Sequence, residues 1–115
     1  MAFLASFTAD LEKSLQQLPS NEWAVTEARE RAIAGVSSVE AFQSIVGVIQ
    51  LAARQQDAYA FQSCCWLALA LIRRSETTEV PNGLLQALRE AEPVARRHEC
   101  ENAVREISAW YRVAT

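Results

Sequence analysis

The sequence predicts an all-α fold: five or six antiparallel helices, packed as a helical bundle or a short αα stack, in one domain covering residues 1–115. Apolar residues recur at steps of three and four along most of the chain, the spacing of one helical face. Strong helix formers dominate, with 20 Ala, 12 Glu, 11 Leu and 10 Arg among 115 residues. The nine Val, five Ile and five Thr are scattered and never alternate, so no strand is expected. A hydrophobic share of 50% and a net charge of -3 exclude a disordered chain. Three Gly and three Pro exclude collagen-like and loop-rich classes.

The first helix is read from Phe3, Phe7, Leu11, Leu15 and Leu18, which share one face, and Pro19 ends it. The second starts near Ser20 or Asn21, both good N-caps, carries a narrow stripe of Val25, Ala28 and Ala32, and closes on Gly35 as a left-handed cap. Ser37 and Glu40 have the capping-box spacing that opens a third helix, with a stripe of Phe42, Ile45, Val46, Ile49, Ala52 and Ala53. Gly47 marks a weak point or a close helix approach in it. Asp57 caps a fourth helix, apolar on nearly all sides and therefore central, in which Trp66 is expected to be buried; Arg73 and Arg74 close it. Full burial would make Trp66→Ala cost about 3–5 kcal/mol. Pro81 is placed in the first turn of a fifth helix bearing Leu84, Leu85, Leu88 and Ala91, and Pro93 breaks or kinks the chain. A sixth helix carries Val104, Ile107, Trp110 and Tyr111. Glu92 and Arg96, Arg97 and Glu101, and Glu101 and Arg105 stand four apart, a spacing worth a few tenths of a kcal/mol per pair.

Ala41-Phe42-Gln43-Ser44 recurs as Ala60-Phe61-Gln62-Ser63, an offset that also brings Arg54 onto Arg73. Two helices with their connection would then repeat about every 38 to 40 residues, near the period of HEAT and armadillo repeats. Chance similarity between two Ala-rich helices is the alternative.

Chemistry is tested by elimination. His98 is the one histidine, and His98-Glu99-Cys100-Glu101-Asn102 lacks the second His that a zinc-protease helix needs. His98 and Cys100 point to different sides of a helix, so they make a poor catalytic dyad. A di-iron bundle needs two Glu-x-x-His pairs. Phosphate loops need clustered glycines, whereas Gly35, Gly47 and Gly83 are dispersed. No glycine-flanked nucleophilic serine is present. Neither an enzyme nor a cofactor or metal is expected. Cys64, Cys65 and Cys100 read as free thiols in a reducing compartment. The N-terminus lacks a basic leader region, and the stretch from Ala58 to Ile72 is shorter than the roughly 20 residues that cross a bilayer. A cytoplasmic protein with no membrane partner is the expectation. Net acidity, with Arg73-Arg74 and Arg96-Arg97 interleaved with carboxylates, disfavours nucleic acid.

Surface recognition remains. The candidate partner-binding residues are Glu76, Glu79, Glu90, Glu92, Glu99, Glu101 and Glu106, with the aromatic pair Trp110 and Tyr111 and Trp23 beside them. Plain solvation of the carboxylates and core packing of the aromatics are the alternative readings. In its size, its amphipathic helices, the Ala41–Ser44 echo and its acidic C-terminal half, the chain resembles the small all-α immunity proteins of bacterial toxin–immunity pairs, such as those of contact-dependent inhibition and type VI secretion. The resemblance implies a cognate toxin domain as partner, a nuclease with a basic cleft that an acidic surface would steer onto and block. A homodimeric adaptor or scaffold, or a helix-turn-helix regulator, are the other classes open to such a chain.

Overall fold

Helices start where free backbone donors find an acceptor, and side-chain caps fix the starts of two helices of this chain. The computed structural model describes residues 2–17 and 20–113. It contains six helices: α1 (Ala2–Gln17), α2 (Ala24–Ala34), α3 (Ser38–Ala53), α4 (Ala58–Ser75), α5 (Leu84–Arg97) and α6 (Glu101–Tyr111), with no strand among the described residues. The Ser37 side chain accepts from the Glu40 N–H at 3.1 Å, and Asp57 Oδ2 accepts from the Ala60 N–H at 2.9 Å, so both expected caps form. Leu18 and Pro19 lie outside the described residues.

Four local expectations are corrected. Asn21 does not cap α2 directly; its Oδ1 accepts from the Trp23 N–H at 3.1 Å, a local turn that delays the helix to Ala24. Gly35 has φ -108° and is not left-handed. Pro81 lies before α5, buried, and its carbonyl accepts from the Leu84 N–H across a turn through left-handed Gly83. Pro93 sits inside α5 without ending it. Both Pro93 and Arg89, the residue whose carbonyl loses its donor, are exposed, so water can satisfy that carbonyl.

Each helix packs on its neighbour in pairs, α1 on α2, α3 on α4 and α5 on α6. Each also touches the helix two places along: α1 with α3, α3 with α5, α2 with α4, and α4 with α6. The odd helices therefore form one layer and the even helices the other, a stack of three αα-hairpins. The shortest extent, 19 Å, suits two layers of helices. The hairpins are not evenly spaced along the sequence. The N-caps of α2, α4 and α6 are Trp23, Asp57 and Cys100, separated by 34 and 43 residues rather than a constant period.

α3 and α4 make the most extensive contact. The echoed small residues explain how they approach: Ala41, Ser44, Ala60 and Ser63 are all buried. Around them lie Ile45, Ile49, Phe61, Leu67, Leu71 and Ile72, all but inaccessible. Burial of each such side chain stabilises the fold by about 1.5–3 kcal/mol. Gly47 is a close approach, as expected: a Cβ there would stand 3.1 Å from Leu4 Cδ2 of α1. Arg74 ties the end of α4 to the α2–α3 turn, donating from Nε to the Val36 carbonyl at 3.0 Å. Arg31 forks onto Asp10 and joins α2 to α1.

Candidate protein-binding surfaces

α4 is central, yet it is not buried all round. Gln62, Trp66, Ala70 and Arg73 follow one another at helical spacing on its outer side, and Trp66 is 39% exposed. The expectation that Trp66 is a core residue is corrected by this placement. α2 and α6 flank α4 but leave its outer stripe open, and Trp66 fills that opening beside Arg29 of α2. The two line a shallow apolar groove of about 240 Å³ with Ile33 and Ala70.

The candidate carboxylates do not form one surface. Glu76 is the left-handed residue after α4, and Glu79 lies in the connector that follows. Glu99 and Glu101 stand at the other end of α5, a helix about 21 Å long at its 14 residues. Glu90 accepts from Gln86 at 3.1 Å, and Glu92 pairs with Arg96 at 2.7 Å, both within α5. Glu106 is exposed on α6. The structure does bring Glu92 and Glu101 together, but Arg96 and Arg105 line the same surface groove, so its charge is mixed. Because α5 ends at Arg97 and α6 begins at Glu101, that pair does not share a helix.

The aromatic pair is split by its helical angle. Tyr111 follows Val104 and Ile107 into the core and is 7% exposed, whereas Trp110 turns outward and is 38% exposed. Trp23 is also exposed, at the start of α2. Tyr111 has a buried hydroxyl without a hydrogen-bond partner, and burial pushes its pKa up to about 12. His98 is half-buried, its ring centre 6.0 Å from that of Phe61.

The thiols are shielded. Burial pushes Cys64 up to about 12, partly opposed by the Arg54 charge. Burial, then the neighbouring Cys64 and Cys100, push Cys65 to about 12. Among the described residues, no group of three or more His, Cys, Asp or Glu side chains is placed to hold a metal ion.

An apolar surface that periodicity alone does not reveal lies on the opposite layer. Val39 is 65% exposed at the start of α3, and Phe42 and Val46, expected in the core, are only half-buried. Two adjoining grooves of about 440 and 390 Å³ share Phe42 and Gln43, and the connector closes their far side with Glu79 in one and Pro81 in the other. The exposed polar residues Gln43 and Gln50, at helical spacing with Val39 and Val46, are the local signal that this side of α3 faces outward.

Comparison with protein-family models, curated proteins and solved structures finds no match. Among the described residues, no helix is long and apolar enough to cross a membrane.

Proposed function

We propose that this chain is a non-catalytic protein-binding domain, and within that class an immunity protein that covers the basic cleft of a cognate bacterial toxin. The observation that carries the broader reading is the set of large apolar side chains exposed on helices of the stack, among them Val39, Trp66 and Trp110. Apolar anchors on rigid elements suit the centre of a binding interface, where aromatic residues contribute most of the affinity. The narrower reading is supported by charge: a net -3 favours approach to a cationic surface, and a nuclease cleft is one. A delivered toxin acts in the cytosol, which is where a chain of free thiols belongs.

The test is co-expression with the product of the adjacent gene. Rescue from toxicity, with a complex whose association slows as salt is added, is the expected result. A neighbour that is neither toxic nor bound sinks the immunity reading. A mass that doubles with concentration in the absence of any partner would favour a homodimeric scaffold, for which the same exposed side chains would serve.

A further inference from the structure

We propose that the groove on the outer face of α3, floored by Phe42 and Val46 and rimmed by Val39, Pro81 and Glu79, is the partner site, and that its occupant is a cationic amphipathic helix. This rests on the protein-binding reading above and gives it a location.

Geometry supplies the first argument. Val39, Phe42 and Val46 step by three and four along α3, and the two grooves they line run into one another at Phe42 and Gln43. From Val39 to Val46 is about 10.5 Å of helix, or two turns. An amphipathic helix docks on such a length with apolar anchors at i, i+3 or i+4, and i+7. The repeated tetrapeptide shows that this face lacks a cover. In α4 its phenylalanine, Phe61, is wholly buried, while in α3 the matching Phe42 is left half-open.

Charge selects the occupant. Glu79 is the charged residue among the described residues lining the two grooves, and Glu76 stands three residues before it on the same connector. The nearby Arg74 is turned away to the Val36 carbonyl. An apolar strip edged by the Glu79 carboxylate favours an apolar helix edged by Lys or Arg. A second copy of this chain, itself net negative, is disfavoured by the same field.

The experiment uses the full chain and a fluorescent amphipathic peptide of about 14 residues, Leu on one face and Lys on the other. A peptide of identical Leu spacing with Glu in place of Lys serves as the control. The variants are Val39→Lys and Glu79→Lys, singly and together, both at exposed positions so that the helical spectrum stays unchanged. The Leu/Lys peptide should bind, the Leu/Glu peptide should not, and the double variant should lose at least about tenfold in affinity. Amide shifts should concentrate on residues 39–46 and 77–82. Equal binding of the two peptides, full binding by the double variant, or shifts confined to α5 and α6 would overturn the proposal. If the adjacent gene product binds wild type and double variant alike, the groove assignment fails while the protein-binding reading stands. If the peptide binds as expected and the neighbour does not, the groove stands and the immunity reading falls. Self-association abolished by Val39→Lys would make the occupant a second copy and overturn the cationic helix.

Discussion

Arg29 lies over Trp66, its guanidinium carbon 4.8 Å from the ring centre. The contact joins α2 to α4 on the outer side of the even layer. The indole shields the guanidinium from water so far that Arg29 Nε is buried without a hydrogen-bond partner, while a terminal nitrogen reaches Thr26 Oγ1 at 3.3 Å. A large aromatic is thus tolerated at the surface because it covers a cation, an interaction worth about 0.5–1 kcal/mol at a partly exposed site.

Trp66→Ala is therefore predicted to cost about 1.5–3 kcal/mol, the cation–π contact plus the part of the side chain that is covered, since 39% of it is exposed. Phe61→Ala, five residues earlier and wholly buried, should cost about 3–5 kcal/mol. Urea unfolding of the two variants decides the matter, and equal losses would show that Trp66 belongs to the core after all.

Gly47 gives a sign test at a crowded position. Alanine there gains about 1 kcal/mol of helix propensity. Its new methyl meets only the tip of the Leu4 side chain, at 3.1 Å, on a half-buried residue of the first turn of α1. Gly47→Ala is expected to fall within about 0.5 kcal/mol of wild type, whereas Gly47→Leu should push α1 outward and cost about 2 kcal/mol. Thermal melts of the pair provide the comparison.

Two of the candidate partner residues carry left-handed backbone, Glu76 at φ 59° and Glu99 at φ 57°. An L side chain is disfavoured there and glycine is not. Glu99→Gly should raise stability by about 0.5–1 kcal/mol even though it removes a surface carboxylate. If the same variant leaves partner rescue intact, Glu99 serves the turn between α5 and α6 and not the interface; a drop in melting temperature would contradict the backbone assignment.

Above neutral pH the buried acids set the trend. Cys64 and Cys65 are lifted from about 9 to about 12, and Tyr111 from about 10 to about 12. Between pH 9 and 12 the unfolded chain has lost protons that the folded chain still holds, so stability falls as pH rises through this window. Below pH 9 both states are protonated at these groups and they contribute no slope. Denaturant midpoints measured from pH 7 to 11 should be flat at first and then decline. Cys65→Ala should make the decline shallower, and an unchanged slope would show that the Cys65 thiol is not what resists ionisation.

The helices are legible in the sequence because the signals that define them are local. Ser37 and Asp57 announce their caps, and the three- and four-residue steps announce the faces. What is not legible depends on which side a neighbouring helix covers. Gln62 and Arg73 lie on the same side of α4 as Trp66, and that polar company is the hint that the tryptophan faces out. Pro93 does not break α5, because a lost hydrogen bond is costly only where water is absent, and exposure is not written in the proline itself. Leu85, next to the buried Leu84, points outward from the first turn of α5. The carboxylates lie close together in sequence after position 75, but α5 holds one group of them about 20 Å from the other. Spread of that kind follows from the length of the helix between them, a quantity that the sequence does carry.

The layered pairing of helices also governs how quickly the chain can find its shape. Because each helix rests on those one or two places along, few distant segments must meet, and the entropy lost in closing loops is small. Collapse should be fast, on the order of milliseconds or less. It should start from the α3–α4 hairpin, whose two faces of small and branched residues meet across a four-residue connection. α1 and α6, each resting on the stack from one end, would then be the first to open and the last to close. Amide exchange should be slowest at Ile45, Ile49, Phe61 and Leu67 and fastest near the chain ends.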